Sequence, residues 1–493
     1  MTSSQINNKK ILIVGGGTAG WMTANLMAAC WKERGFDIAL LESPEIGIIG
    51  VGEGSTPQLK SFFDFLNITE SEWMPACNAT YKNGITFNNW STKPGYESYF
   101  HPFESDVDLH TQPAFFYNCD VRRKFVDVYA HPNRFYLSAS LAEKKQSPIP
   151  TDNFPFKIGY GYHFDSGLLG KFLRDKAKLL NVRHIQAKVE KINHHSNGDI
   201  ASVQTEVGEI FEADLFVDCS GFTGLLIQKA LQVPFKKFAE NLFNDSAVAM
   251  PSPQTNDINS HTISSALKFG WAWEIPLTNR KGNGYVYSSA YCSADQAETE
   301  LRAKLGMLDS DIAARHLKMN VGRIEKHWEK NCVAVGLSQG FIEPLEATAL
   351  HIVQETVQGF IDAWELGDFT SINQEKFNVR INDRFEGVRD YIVAHYVCNS
   401  RNDTDYWRDN RQHGKLSDNL SAVMQAWING DDISALLLKR KMDRYYQPMS
   451  WYALLSGYGI FPDRQQLVSG SAKAHKYNLT TIDSFISRCA LNF

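Results

Sequence analysis

Six residues near the N-terminus supply the first chemistry. Gly15-Gly16-Gly17-Thr18-Ala19-Gly20 fits G-x-G-x-x-G. Gly15 would permit a tight turn, Gly17 would let the backbone approach a pyrophosphate, and Gly20 would let a helix pack close to the preceding strand. The free N–H groups of that helix, opened by Thr18 and Ala19, would face the phosphates. Glu42 follows Gly20 by 22 residues, the spacing at which an acid accepts hydrogen bonds from ribose hydroxyls. The bare glycine pattern is weak, because glycine turns also occur in nucleotide-free sheets. The elements around it strengthen it. Residues 9–14 read as a short buried strand, and a helical pattern follows with Met22, Leu26 and Cys30 on one face and Gly35 as its stop. A second strand, residues 38–41, then delivers Glu42. Together these parts predict a dinucleotide site.

Three later segments favour FAD over NAD. Residues 211–221, FEADLFVDCSG, resemble the second turn of two-dinucleotide-type flavoproteins, which returns to the FAD after a β-meander. Residues 185–192 look like the strand that passes the adenine. Residues 332–338, CVAVGLS, resemble the strand-turn that touches the ribityl chain and isoalloxazine. Their order matches single-component FAD monooxygenases, and the resemblance implies Gly54, Val189, Leu337 and Leu350 as further cofactor contacts. No second G-x-G-x-x-G is present, so no NAD(P)H domain is evident. The expected supply is FADH2 delivered in trans by a separate NAD(P)H-dependent flavin reductase.

Trp271-Ala272-Trp273-Glu274-Ile275-Pro276 departs from the monooxygenase pattern. W-x-W-x-I-P resembles the signature of flavin-dependent halogenases of the tryptophan halogenase family. The bland alternative is a strand with outward aromatics. Residues 50–57 (GVGEGSTP), 62–66 (FFDFL), 100–103 (FHPF), 160–165 (YGYHFD) and 340–348 (GFIEPLEAT) resemble the same family. The likeness spans essentially the whole chain and is closest up to residue 365.

The resemblance implies that Trp271 and Trp273 wall the flavin compartment from the organic substrate, so that halide becomes the nucleophile. It implies that Lys82 is the lysine that holds or captures hypohalous acid. Read as one strand, residues 79–87 put Lys82 on a face with Gly84 and Thr86, opposite Ile85 and Phe87. Glu346 is the implied partner, which polarises the halogen or takes the proton of the arenium intermediate. Its competing reading is an acid in the first turn of a helix with Leu350, Val353, Val357, Phe360, Ile361 and Trp364 on its apolar face. The same helix start, at Thr348 and Ala349, is the implied halide site. Many relatives carry Ser and Gly where this chain has Ala347 and Ala349, so chloride or bromide stays open. His101 and Phe103 match the walls that sandwich an indole, and Trp451 is a further substrate contact. Tryptophan-specific relatives carry an acid and tyrosines near residues 445–452. Here Ser450 stands near the acid's place and Pro448 interrupts the segment. A free indole, a substituted indole, a phenol or a larger peptide-like substrate all fit better than a free amino acid.

The expected architecture is α/β: a two-dinucleotide-type, monooxygenase-like FAD module with a mixed sheet, plus a mostly helical substrate lobe. Residues 1–365 would form the module with its insertions, and residues 366–493 the lobe, with helices at 374–391, 417–427 and 433–445. Direct hydroxylation by an FAD-dependent aromatic monooxygenase is the alternative activity. A non-catalytic flavin-binding sensor is a third. The formal net charge of -5 offers no basic footprint for nucleic acid. No window approaches the roughly 20 apolar residues of a membrane span. The eight cysteines are scattered without C-x-x-C, which gives no metal or dithiol motif and fits reduced cytoplasmic thiols. A homodimer is compatible with the sequence.

Overall fold

A computed structural model describes residues 8–45 and 52–493. Gly50 and Val51 of the GVGEGSTP segment lie outside the described residues. The central sheet has six strands in the order Trp328–Glu329, Cys332–Ala334, Leu215–Asp218, Lys10–Val14, Asp37–Glu42 and Arg183–Gln186. All pairs are parallel except the antiparallel outer pair at Trp328–Glu329. Ile11 to Val14 and Leu215 to Asp218 are buried without interruption, as expected of strands covered on both faces.

The glycine loop leads into the helix Thr18–Trp31, and Gly35 ends the following turn with φ of 69°. Met22 and Leu26 are wholly buried, but Cys30 is exposed. The expected single apolar face is therefore corrected: Trp21, Ala24, Met27 and Ala28 are buried as well, because the helix is wedged between the sheet and two neighbouring helices. The expected strand over residues 185–192 is also corrected. Arg183–Gln186 ends in the central sheet, Ala187 N donates to Glu42 O (3.0 Å), and Val189–His194 starts a separate antiparallel meander with Ile200–Thr205 and Ile210–Glu212.

A second, seven-stranded sheet runs Arg315–Lys318, Ser246–Pro253, Arg280–Tyr287, Gly270–Pro276, Thr262–Leu267, Gly84–Asn88, Ser98–Pro102. Its pairs are antiparallel except Thr262–Leu267 with Gly84–Asn88. A small sheet joins Glu53–Gly54, Gly161–Phe164 and Thr80–Lys82.

Beyond residue 373 the described chain is helical. Gln374–Val397 runs six residues past the expected end at 391, because Ile392 to Tyr396 are all buried. Burial there outweighs the modest helix propensity of β-branched residues. Ser417 caps Asp418–Asn429 by accepting from Leu420 N. The expected helix over 433–445 stops at Arg440, where Lys441 turns left-handed (φ 57°) and a short 3-10 turn, Met442–Arg444, follows. Pro448 does not interrupt its segment. It opens the helix Pro448–Gly457, where its fixed φ and missing N–H are harmless. Gly457 lies directly on Tyr99, with room for no side chain: a Cβ would stand 2.3 Å from the ring. This contact seats the helical part on the strand Ser98–Pro102.

Candidate active site

The glycine loop has the shape of a phosphate cradle. Gly15 has φ of 119°, and a Cβ there would stand 2.1 Å from Cys219 O. A Cβ on Gly20 would stand 2.0 Å from Gly15 O. Among the described residues nothing lies within 4 Å of a Cβ on Gly17, in front of a helix start that no described side chain caps. Such an end favours an anion. Glu42 lies over Gly16 and accepts from His184 Nε2 (2.7 Å). Asp218 is wholly buried and accepts from the amides of Ser220, Leu226 and Ile227, which locks the second turn beside the loop. The Gly336–Ser338 turn bearing Leu337 lies against Ala19, and half-buried Val189 opens the meander. These residues fit FAD.

Lys82 ends the strand Thr80–Lys82, which pairs with Gly161–Phe164. The chain then breaks step. Asn83 N donates to Ser260 O (2.7 Å), and its amide group donates to Gln146 O and Ser260 Oγ, both at 2.9 Å. Gly84–Asn88 continues in the other sheet. The expected common face of Lys82 with Gly84 and Thr86 is thereby corrected, since two sheets share this stretch. The break turns the lysine inward. Lys82 is fully buried, its Nζ has no hydrogen-bond partner among the described residues, and it stands 5.4 Å from the Phe103 ring centroid. Gly54 closes against it: a Cβ there would lie 3.2 Å from Nζ. Burial pulls the Lys82 amine down to about 7, against the opposing charge of Glu346.

Glu346 is 3% exposed. It does not begin the helix. That helix is Ala349–Leu366 with Thr348 as N-cap, and Ala347 before it has φ of 57°. The acid is thus outside the first turn, and a capping role does not explain its burial. Its Oε1 accepts from His395 Nε2 (2.8 Å), while Oε2 lies 3.3 Å from His101 Nδ1 outside hydrogen-bonding geometry. Burial raises the carboxyl, opposed by His101 and Lys82. Burial lowers both imidazoles. His101 Nε2 is 3.2 Å from Tyr391 OH, Tyr391 stacks on Tyr446 at 3.6 Å, and Trp451 meets Tyr391 edge-on at 4.9 Å. Lys82, Phe103, His101, Glu346 and Trp451 thus gather in one aromatic-walled cluster. The helix Ala349–Leu366, with Thr348 as its N-cap and Leu350 buried in its first turn, starts three residues after Glu346 and packs on the helix of the glycine loop.

Trp271 and Trp273 lie on one face of Gly270–Pro276, with centroids 6.1 Å apart. Trp271 Nε1 donates to Glu343 Oε2 (2.7 Å), which also accepts from Tyr396 OH (2.5 Å) and Asn244 Nδ2 (3.0 Å). Trp273 needs Gly284 opposite, where a Cβ would stand 2.0 Å from its ring. Glu343, Gly284, His395 and Tyr391 are absent from the sequence-derived site. For Glu343 and Glu346 the repeat within Glu343-Pro344-Leu345-Glu346 was an available signal. The other three depend on tertiary neighbours. Among the described residues no cluster of His, Cys, Asp and Glu could hold a metal, and no helix is long and apolar enough to cross a membrane.

Residues 10–473 match the tryptophan halogenase family model. The tryptophan 6-halogenase SttH of Streptomyces toxytricini is 37% identical over 445 residues, 85% of this chain and 84% of that protein. The tryptophan 7-halogenase RebH of Lentzea aerocolonigenes is 36% identical over 484 residues, 92% and 90% of the two chains. The crystal structure of SttH superposes with a TM-score of 0.84 at 32% identity, covering 99% of this chain and 98% of that one. BrvH, a flavin-dependent halogenase from Brevundimonas sp. BAL3, superposes with a TM-score of 0.82 at 31% identity over 99% and 96%. A family match over nearly the whole length, with the fold shared end to end, shows that this chain belongs to the tryptophan halogenase family and is a flavin-dependent halogenase.

Proposed function

We propose that this enzyme passes an electrophilic halogen through Lys82 to an electron-rich, indole-type ring held against His101, Phe103 and Trp451, with Glu346 as the carboxylate partner. Bound reduced FAD supplies, with O2 and a proton, the two-electron oxidation of halide to hypohalous acid and water. Gly15, Gly17, Thr18, Ala19, Gly20, Glu42, Gly54, Val189, Leu337 and Leu350 hold the cofactor, and the amides of Thr348 and Ala349 hold the halide. Trp271 and Trp273 separate the two compartments. Lys82 either hydrogen-bonds the hypohalous acid or forms a haloamine with loss of water. The ring carbon then takes the halogen, Glu346 accepts the displaced proton, and that proton passes on to the leaving nitrogen or hydroxide, restoring the amine or giving water.

The observation that carries this reading is the buried Lys82 amine, unpartnered among the described residues, facing Phe103 and close to the His101–Glu346 pair. An amine with its proton affinity near neutrality is matched to such transfer. Direct hydroxylation is not favoured, because two bulky indoles and a buried amine have no role in it. The substrate is an indole or substituted indole without a free amino-acid head group. Ser450 offers no carboxylate for an ammonium, and its carbonyl is already taken by Tyr391 OH (2.9 Å). FADH2 comes from a separate NAD(P)H-dependent reductase. Eight unpaired thiols support a cytoplasmic setting.

The test is a mass-spectrometric screen of indole, substituted indoles, free tryptophan and phenols, with a flavin reductase, in chloride and in bromide. Halogenated indole is the expected product. Lys82→Ala should abolish it while FAD binding and halide-dependent flavin reoxidation persist. Halogenation by Lys82→Ala at the parental rate, or a hydroxylated product alone, refutes the reading.

A further inference from the structure

Consecutive residues on one helix grip both acids of Glu343-Pro344-Leu345-Glu346. His395 binds Glu346 and Tyr396 binds Glu343. The Tyr396 side fixes a wall residue through Glu343. The His395 side reaches further, because a third group stands behind it: Tyr458 OH lies 2.8 Å from His395 Nδ1. We propose that His395, with its tautomer set by Tyr458, is the positioning residue for Glu346, fixing Oε1 and leaving Oε2 as the oxygen that receives the substrate's proton. This rests on the role given to Glu346 above.

The hydrogen-bond inventory leaves one arrangement. His395 is wholly buried and faces Phe87 and Trp90 at 4.6 and 6.0 Å. Burial disfavours its charged form, so the ring carries a single N–H. An ionised carboxylate can only accept. The N–H must therefore be at Nε2, donating to Glu346 Oε1, and Nδ1 must accept from the Tyr458 hydroxyl. His101 faces the carboxylate at Oε2, and Lys82 stands near enough for the two charges to act on each other. Its charge is also felt by the phenols of Tyr99, Tyr391, Tyr446 and Tyr458, all buried and all held neutral. With Oε1 committed and His101 Nδ1 out of bonding geometry, Oε2 is the oxygen with spare capacity. Each neighbour of Glu346 on the helix Gln374–Val397 is thus neutral; His101 and Lys82 oppose the burial that raises the carboxyl, and the imidazole N–H on Oε1 adds a hydrogen bond to its ionised form.

The test uses full-length enzyme carrying 13C-carboxyl glutamate, with the Glu346 signal assigned by its loss in Glu346→Gln, and in parallel the pH–kcat profile for bromination of indole. A donor lost from a buried carboxylate should raise its titration midpoint by about one pH unit or more. His395→Leu should show that rise, and the acid limb of the rate profile should move up with it. Tyr458→Phe, nearly isosteric, should show a smaller rise in the same direction, because Nδ1 loses the donor that sets the tautomer. His395→Gln keeps an N–H donor and should titrate close to the parent. Parental midpoints in both His395→Leu and Tyr458→Phe overturn the inference. If the midpoints move as expected but Glu346→Gln brominates at the parental rate, the positioning holds and the proton-accepting role of Glu346 fails instead.

Discussion

Lys82→Met should make the protein more stable at pH 7, and the gain should shrink as the pH rises. The gap between 10.5 and about 7 for this amine, at about 1.4 kcal/mol per pH unit, separates its charged and neutral forms by about 5 kcal/mol. The group is fully buried, so solvent screening does not reduce that figure. In the unfolded chain the amine keeps its proton up to about 10.5. In the folded chain it has lost half of it by about 7. Between those values the unfolded state binds more protons, so parental stability rises with pH. The folding penalty of Lys82 is fully present below pH 7, falls through alkaline pH, and is gone above about 10.5. Methionine is unbranched, similar in volume and free of that penalty. Near pH 7 the variant should therefore gain about 3 to 5 kcal/mol, and by pH 9 about half of the gain should be lost. Urea unfolding of parent and variant at pH 7, 8 and 9, without flavin, reads this directly from the midpoints. Halogenation should be absent in the variant, an exchange of stability for function. A variant no more stable at pH 7, or a difference unchanged between pH 7 and 9, would show that the amine is not held in a dry, unpartnered setting.

Gly17→Ala should leave the flavin-free melting temperature near the parent's, because its Cβ meets nothing, yet weaken FAD binding by about tenfold or more on fluorescence titration. Gly20→Ala should lower both, since its Cβ runs into Gly15 O; equal effects of the two changes would refute the cradle. Trp271→Phe removes one of three donors to the buried Glu343 oxygen and should destabilise by about 1 to 3 kcal/mol in denaturant unfolding. Gly284→Val should displace the Trp273 indole, seen as a shift in tryptophan emission, and should increase reduced-flavin oxidation that yields no aryl halide.

What the sequence determined by itself was local or borne by contiguous motif. The glycine turn, the strand before it, the helix after it and the acid at the end of the next strand follow from spacing and backbone conformation, and each is where the spacing puts it. The halogenase resemblance was likewise carried by short runs such as Trp271 to Pro276. Tertiary structure decided the rest. Residues 79–87 read as one strand, but Asn83 hands the chain from one sheet to another, which turns Lys82 from a face shared with Thr86 into a buried amine. Residues 392–397 carry no strong helical signal, and only burial on all sides extends the helix to bring His395 onto Glu346. The competing reading of Glu346 as a first-turn acid arose because helix starts are read locally, whereas its partners lie 245 and 49 positions away at His101 and His395. Turn geometry is written in neighbouring residues; desolvation and long-range partners, which set the chemistry of an amine or a carboxylate, exist only once distant segments have packed.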